Sequence, residues 1–443
     1  MDDVRAALDE HRDRVRADLE RLVRIPSVSA SGFDPGKVRE SATATAEILE
    51  AAGMRDVRFL EVEGAHPAVT GHIPGPPGSP TVLLYAHHDV QPEGDAGEWE
   101  SPPFVPTERN GRLFGRGAAD DKAGIMAHVA AILAHGGAPP VGVTAFIEGE
   151  EETGSENLPA FLEAHRETLR GDVIVLADST NWRIGQPALT TSLRGLVDCT
   201  VEVRTLDHAV HSGFIGGVFP DALTVLSRLL ATLHDERGRV AVPGLVEADA
   251  EPLDLTEEEL REQAGAPDGL EALGEGGLTS RLWARPAVSV LGIDAPSVQE
   301  AANVIVPRAR AKVSLRLAPG QDPDEAMEAL RAHLERHVEW GARATVVPGA
   351  SAHPARIDAA GPAYDAARRA FRDAWGTDPV DVGVGGTIPF VQSFLEALPE
   401  AAILVTGVED PDTRAHGANE SLHLAEFEKV CTAEALLLRY LAE

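Results

Sequence analysis

Apolar positions at helical spacing open the chain. Ala7, Val15, Leu19, Leu22 and Val23 recur among charged neighbours, and Pro26 closes the run. That spacing predicts an amphipathic helix. An alternation of strand and helix patterns follows. Residues 81–85 form a short apolar strand, and 121–135 a helix with Ile125, Met126, Val129, Ile132 and Leu133 on one face. Residues 141–147 read as a strand, 155–165 as a helix and 173–177 as a third strand. Near the C-terminus, 363–375 reads as a helix, 402–406 as a strand and 424–441 as a last helix. The strands are continuous apolar runs, as expected of a parallel sheet covered on both faces.

The middle of the chain has a different period. Val197, Cys199, Val201 and Val203 alternate with Asp198, Thr200, Glu202 and Arg204. Val313, Leu315 and Leu317 alternate with Lys312, Ser314 and Arg316. Period two marks half-exposed antiparallel strands. Helices are predicted between them at 220–233 and 322–337. The expected fold is α/β: a catalytic domain with a largely parallel sheet, built from residues 1–190 and 356–443. An α+β domain, 191–355, is inserted in it. The acidic, glycine-containing stretch 243–280 reads as a surface excursion with one helix over 256–263, and it suggests no chemistry.

Composition narrows the function. A chain of 443 residues exceeds one typical core, which agrees with two domains. Lys and Arg number 39 against 71 Asp and Glu, a formal charge of −32. Nucleic acid and anionic membranes require positive surfaces, so neither is an expected partner. Two cysteines, Cys199 and Cys431, cannot make a disulfide framework. The first residues carry no apolar signal core, and no apolar run approaches the length of a membrane span. These features point to a soluble cytoplasmic protein.

Several common catalytic signatures are absent: G-x-S-x-G, G-x-x-x-x-G-K-[ST], H-E-x-x-H and C-x-x-C. Gly115-Arg116-Gly117-Ala118-Ala119-Asp120 begins like a dinucleotide loop but has Asp120 where the third glycine belongs. What remains is a set of polar residues after predicted strands: His87, His88 and Asp89, then Glu148, Glu150, Glu151 and Glu152, then Asp178, and later His416. Ligands of open α/β sheets bind at the carboxyl ends of the strands. Asp120 and Asp121 follow a glycine-rich loop and could reach the same rim. Taken singly, each has a plain explanation as a surface pair, a solvated loop, a helix cap or a turn residue. Together they would crowd like charges at one edge, which a bound cation relieves. Imidazole and carboxylate donors without thiolate suit Zn, Mn or Co.

The motifs resemble the M20 family of dinuclear metallopeptidases, in particular its dipeptidase branch of carnosinase-like and bacterial dipeptidase-like enzymes. The resemblance rests on Ile25–Ser29, Ala86–Pro92, Gly115–Lys122, Glu148–Ser155, His211-Ser212-Gly213 with Gly216-Gly217, Asn303–Pro307, Gly385–Pro389 and His416–Glu420. These run in family order over almost the whole chain. It implies a catalytic domain of the zinc-exopeptidase type and makes the inserted domain a lid that also dimerises.

Two divalent ions are implied, Zn first, with Mn or Co as compatible occupants. His87 and Asp178 would hold the first, Glu152 and His416 the second, and Asp120 would bridge them. In the family the peptide bond after the bridging residue, here to Asp121, is cis. Asp89 would hold the His87 tautomer and Glu151 would be the general base. The residue matching His211 reaches a partner's active site, so a homodimer is implied. Asn303, Arg316, Gly385, Gly386 and Thr387 match substrate-binding positions. Two departures from the family pattern, Ala86 for Gly and Thr387 for Ser, fall outside the metal set.

This chemistry suits the residue types. Cleaving an unactivated amide requires a strong nucleophile and a sink for oxyanion charge, and a hydroxide bridging two metals meets both needs. Glu151 would move a proton from water to the leaving amine. Arg316, on the polar face of its strand, could grip a substrate carboxylate through two nitrogens. The expected activity is therefore metal-dependent hydrolysis of dipeptides or short peptides. An amidohydrolase of N-acyl amino acids would use the same centre, and a non-catalytic binding protein is the remote alternative.

Overall fold

The computed structural model describes residues 1–386 and 389–443. The chain divides into two compact units. The first comprises Met1–Thr191, Ile357–Val382 and Pro389–Glu443. The second comprises Ser192–Arg356 with the short 383–386 segment.

The sheet of the first unit runs, in spatial order, Arg55–Leu60, Ala68–Ile73, Gly142–Glu148, Thr81–His87, Val173–Leu176, Ala402–Val405 and Ala188–Leu193. Its four central strands are parallel. Antiparallel pairing is confined to the flanks. Every residue of Gly142–Glu148 and Val173–Leu176 is buried, as the uninterrupted apolar runs require. Register sets the site: His87 lies opposite Glu148, and Tyr85 opposite Leu176. The carboxyl ends of the central strands therefore finish at one level, and the loops after them share one rim.

Helix Lys122–Ala134 differs from the one-faced pattern expected of it. Residues from Lys122 to Leu133 are all buried. Small residues on its second face, Ala123, Ala127, Ala130 and Ala131, let neighbours approach closely. It packs against helices Asp2–Val23 and Leu424–Tyr440. A helix apolar all round belongs in the core. Helix Pro35–Ala51 had no counterpart in the sequence pattern. Asp34 caps it by accepting from Gly36 N, and its buried face is made of Ser41, Ala42, Ala44, Thr45, Ile48 and Leu49 with Val38. Small residues blur helical hydrophobic periodicity.

The second unit has an antiparallel sheet ordered Ala287–Asp294, Arg308–Leu317, Gly195–Arg204 and Arg343–Ala352. Val197 pairs with Leu315, Cys199 with Val313 and Val201 with Ala311. These residues form one core with helices Ala222–Ala231 and Pro323–His337. Asp221 and Asp322 cap those helices by accepting from Thr224 N and from Asp324 N and Glu325 N. The acidic excursion carries helix Glu257–Ala264, closed by a Thr256/Glu259 capping box.

Candidate metal centre

Four strand ends and one loop deliver the polar groups. His87 ends Thr81–His87, and Glu148 ends Gly142–Glu148. Glu151 and Glu152 occupy the single tight turn Glu151–Thr153, where consecutive side chains diverge by about 120°. Asp178 lies two residues beyond Val173–Leu176. Asp120 ends the glycine-rich loop, and the Asp120–Asp121 peptide is cis. His416 sits in a left-handed conformation, φ 62°, in the loop beyond Ala402–Val405.

Asp120 lies between two imidazoles. Its Oδ1 is 3.1 Å from His87 Nε2, and its Oδ2 is 3.1 Å from His416 Nε2. On the His87 side, Glu151 Oε2 and Asp178 Oδ2 each lie 3.9 Å from His87 Nε2. On the other side, Glu152 Oε2 is 3.3 Å from His416 Nε2. Donor atoms of His87, Glu151 and Asp178 converge within 4.8 Å of one another, as do those of His87, Asp120 and Glu152.

A second set of residues holds these groups in place. Asp89 is fully buried and serves four groups at once. His87 Nδ1 is 3.3 Å from its Oδ1 and 3.2 Å from its backbone oxygen. The same carboxylate accepts from Glu151 N (3.2 Å), Glu152 N (3.1 Å) and Ser29 Oγ (2.6 Å). The Glu152 carboxylate is fixed by Gln91, which donates its backbone N–H to Oε1 (3.0 Å) and its side-chain amide to Oε2 (2.9 Å). Glu420 secures the Asp120 loop, accepting from Gly117 N, Ala119 N and Asp120 N, and from Arg116 Nη1 at 2.6 Å. Arg116 in turn donates to the carbonyls of Pro92 and Gly417. Ser29, Gln91, Arg116 and Glu420 had no role in the sequence reading. Glu150, in the same acidic run, instead ties the loop by accepting from His66 N and Asn157 N. His88 is buried, with Nε2 2.9 Å from Pro67 O, and burial pushes it down to about 4. It is a neutral structural residue.

The electrostatics fit a divalent cation. Burial, and then the charges of Asp120 and Glu152, push Asp178 up to about 7. Burial and neighbouring carboxylates push Glu151 well above the usual range and raise Glu152. Burial opposes charge on Asp120, but hydrogen bonds from His416 and His87 outweigh it and hold that carboxyl low. Hydrogen bonds to Asp120 and Glu152 push His416 up to about 11. Four carboxylates and two imidazoles with no thiolate form a hard, nitrogen- and oxygen-rich donor set, and their mutual repulsion is the kind a divalent ion relieves.

The remaining expected residues lie in the second unit. His211 is exposed, and its Nδ1 accepts from Gly213 N (3.0 Å), which leaves Nε2 to carry the proton of the neutral ring. Its ring lies 4.9 Å from that of Phe214. Asn303 is brought to the same place: its carbonyl accepts from Ser212 N and Ser212 Oγ, both at 2.9 Å. Arg316 lies on the polar face of Arg308–Leu317, opposite Leu196 and Ala287. Gly385 O accepts from Arg194 Nε (3.1 Å). Arg194 was not singled out from the sequence. Burial, then the charge of Arg316, pushes it down to about 10, which marks two neighbouring guanidiniums. Gly386 is half-buried. Thr387 lies outside the described residues.

Comparison with known proteins identifies the family. The sequence model of peptidase family M20/M25/M40 matches residues 83–440. The chain is 33% identical to a cysteinylglycine-S-conjugate dipeptidase of Corynebacterium striatum, over 98% of this chain and 97% of that protein. It is 29% identical to the Cys-Gly metallodipeptidase dug1 of Schizosaccharomyces pombe, over 97% and 96%. The solved structure of human carnosine dipeptidase 1 superposes with a TM-score of 0.80 at 28% identity, covering 99% of this chain and 98% of that one. On the length of the family match and the identity to the bacterial dipeptidase, this chain belongs to peptidase family M20/M25/M40.

Proposed function

We propose that the protein is a dinuclear metallodipeptidase that hydrolyses the amide bond of dipeptides. The observation that carries this is Asp120 placed between His87 and His416, with a different oxygen 3.1 Å from each. Such a carboxylate can bridge two ions, with His87 and Asp178 on one side and Glu152 and His416 on the other. Zn suits the donor set, and Mn or Co would be tolerated. When bound, the ions would lower the pKa of water and stabilise negative charge on the scissile oxygen.

The chain's own residues supply the rest. Glu151 is half-buried at the rim, and its backbone is pinned to Asp89. It would take a proton from the attacking water and pass it to the leaving amine. Asp89 would keep the proton of His87 on Nδ1, leaving Nε2 to face the centre. His211, with its proton on Nε2, would donate to the oxyanion, a contribution typically worth ~10²–10³ in kcat. Asn303 and Arg316, with the Gly385–Gly386 turn, would bind the substrate's C-terminal side.

The smaller unit would act as lid and dimerisation domain, since in the family the residue matching His211 serves a partner's active site. The relatives' names, Cys-Gly and Cys-Gly-conjugate dipeptidases, support small unblocked peptides as substrates. Cys199 and Cys431 are both free and buried, which supports a cytoplasmic enzyme. No helix of the described residues is long and apolar enough to cross a membrane.

Glu151→Gln tests the assignment. It should lower kcat on a dipeptide such as Cys-Gly by at least ~10³. Metal content by elemental analysis should match that of the unaltered protein. A variant with near-normal kcat would remove Glu151 from proton transfer.

A further inference from the structure

The proposed centre leaves a half-buried carboxylate, Glu409, without a counter-charge. Beyond the parallel strands Val173–Leu176 and Ala402–Val405, the two chain segments continue side by side. Thr406 N donates to Leu176 O (2.8 Å), Glu409 N to Ser179 O (3.3 Å) and Asn181 N to Glu409 O (2.9 Å). Thr180 and Glu409 pair as a parallel bridge. Glu409 is thereby locked against the segment that begins one residue after Asp178. Its carboxylate accepts a hydrogen bond from Thr180 Oγ1 (3.0 Å). Among the described residues it forms no ion pair with Lys or Arg, and the residue is only half-buried. Burial, then the charges of Asp120 and Asp178, push this carboxyl well above the ordinary range. Those residues are its electrostatic neighbours.

Charge counting says what is missing. Asp120, Glu151, Glu152 and Asp178 carry four negative charges, which two divalent ions would balance. Asp89 faces His87, and Glu420 faces Arg116. Asp121 and Glu148 are fully buried, accepting from His87 N and from the Tyr85 hydroxyl, and Glu150 is buried and tied to His66 N and Asn157 N. Glu409 is the half-buried carboxylate left beside the centre, and a monocation would neutralise it. In a dipeptide the α-ammonium is one carbon from the scissile carbonyl. A carbonyl held over Asp120 and Asp178 would set that ammonium toward the 179–181 segment against which Glu409 is paired.

We propose that Glu409 receives the α-ammonium of the substrate's N-terminal residue and makes the site selective for unblocked dipeptides over N-acyl amino acids. This rests on the proposed amide hydrolysis at the same centre. An acyl group without the amine would leave the carboxylate unpaired beside the other acids. Sites built around one polar group discriminate strongly against analogues that lack it.

The test compares Ala-Gly with propionyl-Gly, which is the same substrate without its amino group. The unaltered enzyme should prefer Ala-Gly by at least ~10² in kcat/KM. Glu409→Gln should lose most of that preference by a fall on Ala-Gly, with propionyl-Gly within about threefold and metal content unchanged. Glu409→Asp, which keeps the charge but retracts it, should raise KM for Ala-Gly selectively and serves if the Gln variant does not fold. A proportional loss on both substrates would make Glu409 a structural residue and overturn the proposal. Equal cleavage of both by the unaltered enzyme would overturn it too, with amide hydrolysis intact. Cleavage of neither would instead overturn the hydrolytic reading itself.

Discussion

A single carboxylate, Asp89, holds together two parts of the centre that come from different loops. It faces His87 Nδ1 and accepts the backbone N–H groups of Glu151 and Glu152. In Asp89→Asn one acceptor oxygen becomes a donor, which must face either an imidazole N–H or a backbone N–H. Metal affinity by titration and kcat/KM should each fall by ~10–100-fold, the usual cost of altering a group behind a ligand. Unchanged values in both would show that the turn and the imidazole hold their places without it. Residues such as His87, Asp120 and Asp178 were legible in the sequence because each follows a readable strand or loop signal. Their supports were not legible. Gln91 reaches Glu152 across 61 residues of sequence, and Arg116 reaches Glu420 across 304. No local pattern encodes such a pairing. Glu420 could have been suspected from its place in the His416–Glu420 motif, though not its bond to the Asp120 loop.

At the level of elements, the buried contact between Lys122–Ala134 and Leu424–Tyr440 contains an ionisable pair. His128 Nδ1 is 2.6 Å from Glu434 Oε1, and its Nε2 is 2.9 Å from Tyr85 O. Both partners are acceptors, so the ring satisfies both only when doubly protonated. Burial opposes that charge, but the Glu434 carboxylate and its hydrogen bond outweigh it and raise His128 above the usual histidine range. The folded pKa therefore exceeds the unfolded value of ~6.5. The resulting stability is fully present below ~6.5 and is lost as pH rises through the folded pKa. A double-mutant cycle, His128→Asn with Glu434→Gln, should give a coupling of ~1.5–3 kcal/mol at pH 6 by chemical denaturation. At pH 9 it should be smaller, and a coupling equal at both pH values would show that the ring is neutral throughout. The four central parallel strands of this unit and five of its helices were readable from apolar runs, whereas the flanking strands Arg55–Leu60, Ala68–Ile73 and Ala188–Leu193 and helix Pro35–Ala51 were not. The all-round burial of Lys122–Ala134 was not, because alanine signals neither a face nor a neighbour.

On the scale of the molecule, the charge of −32 bears on self-association. The smaller unit exposes apolar groups that a protein working alone would tend to cover. The edge strand Ala287–Asp294 shows Leu291 61% and Ile293 52% exposed, and Phe214, beside His211, is 87% exposed. An unpaired apolar edge invites pairing with another chain. We propose that a second copy covers it, in line with the dimerising role proposed for this unit. Two strongly acidic chains repel, and salt screens that repulsion over a Debye length of ~10 Å at 0.1 M. The dimer should therefore tighten as salt rises from ~20 to ~300 mM, the reverse of an interface held by opposite charges. Sedimentation should show twice 46.9 kDa at the higher salt. Leu291→Glu, at an exposed position, should shift the protein to monomer and lower kcat/KM with metal content unchanged, since His211 would lose its place in the partner's site. A protein that remains monomeric and fully active at every salt concentration would show that the site needs no partner, and His211 would then have to act within its own chain.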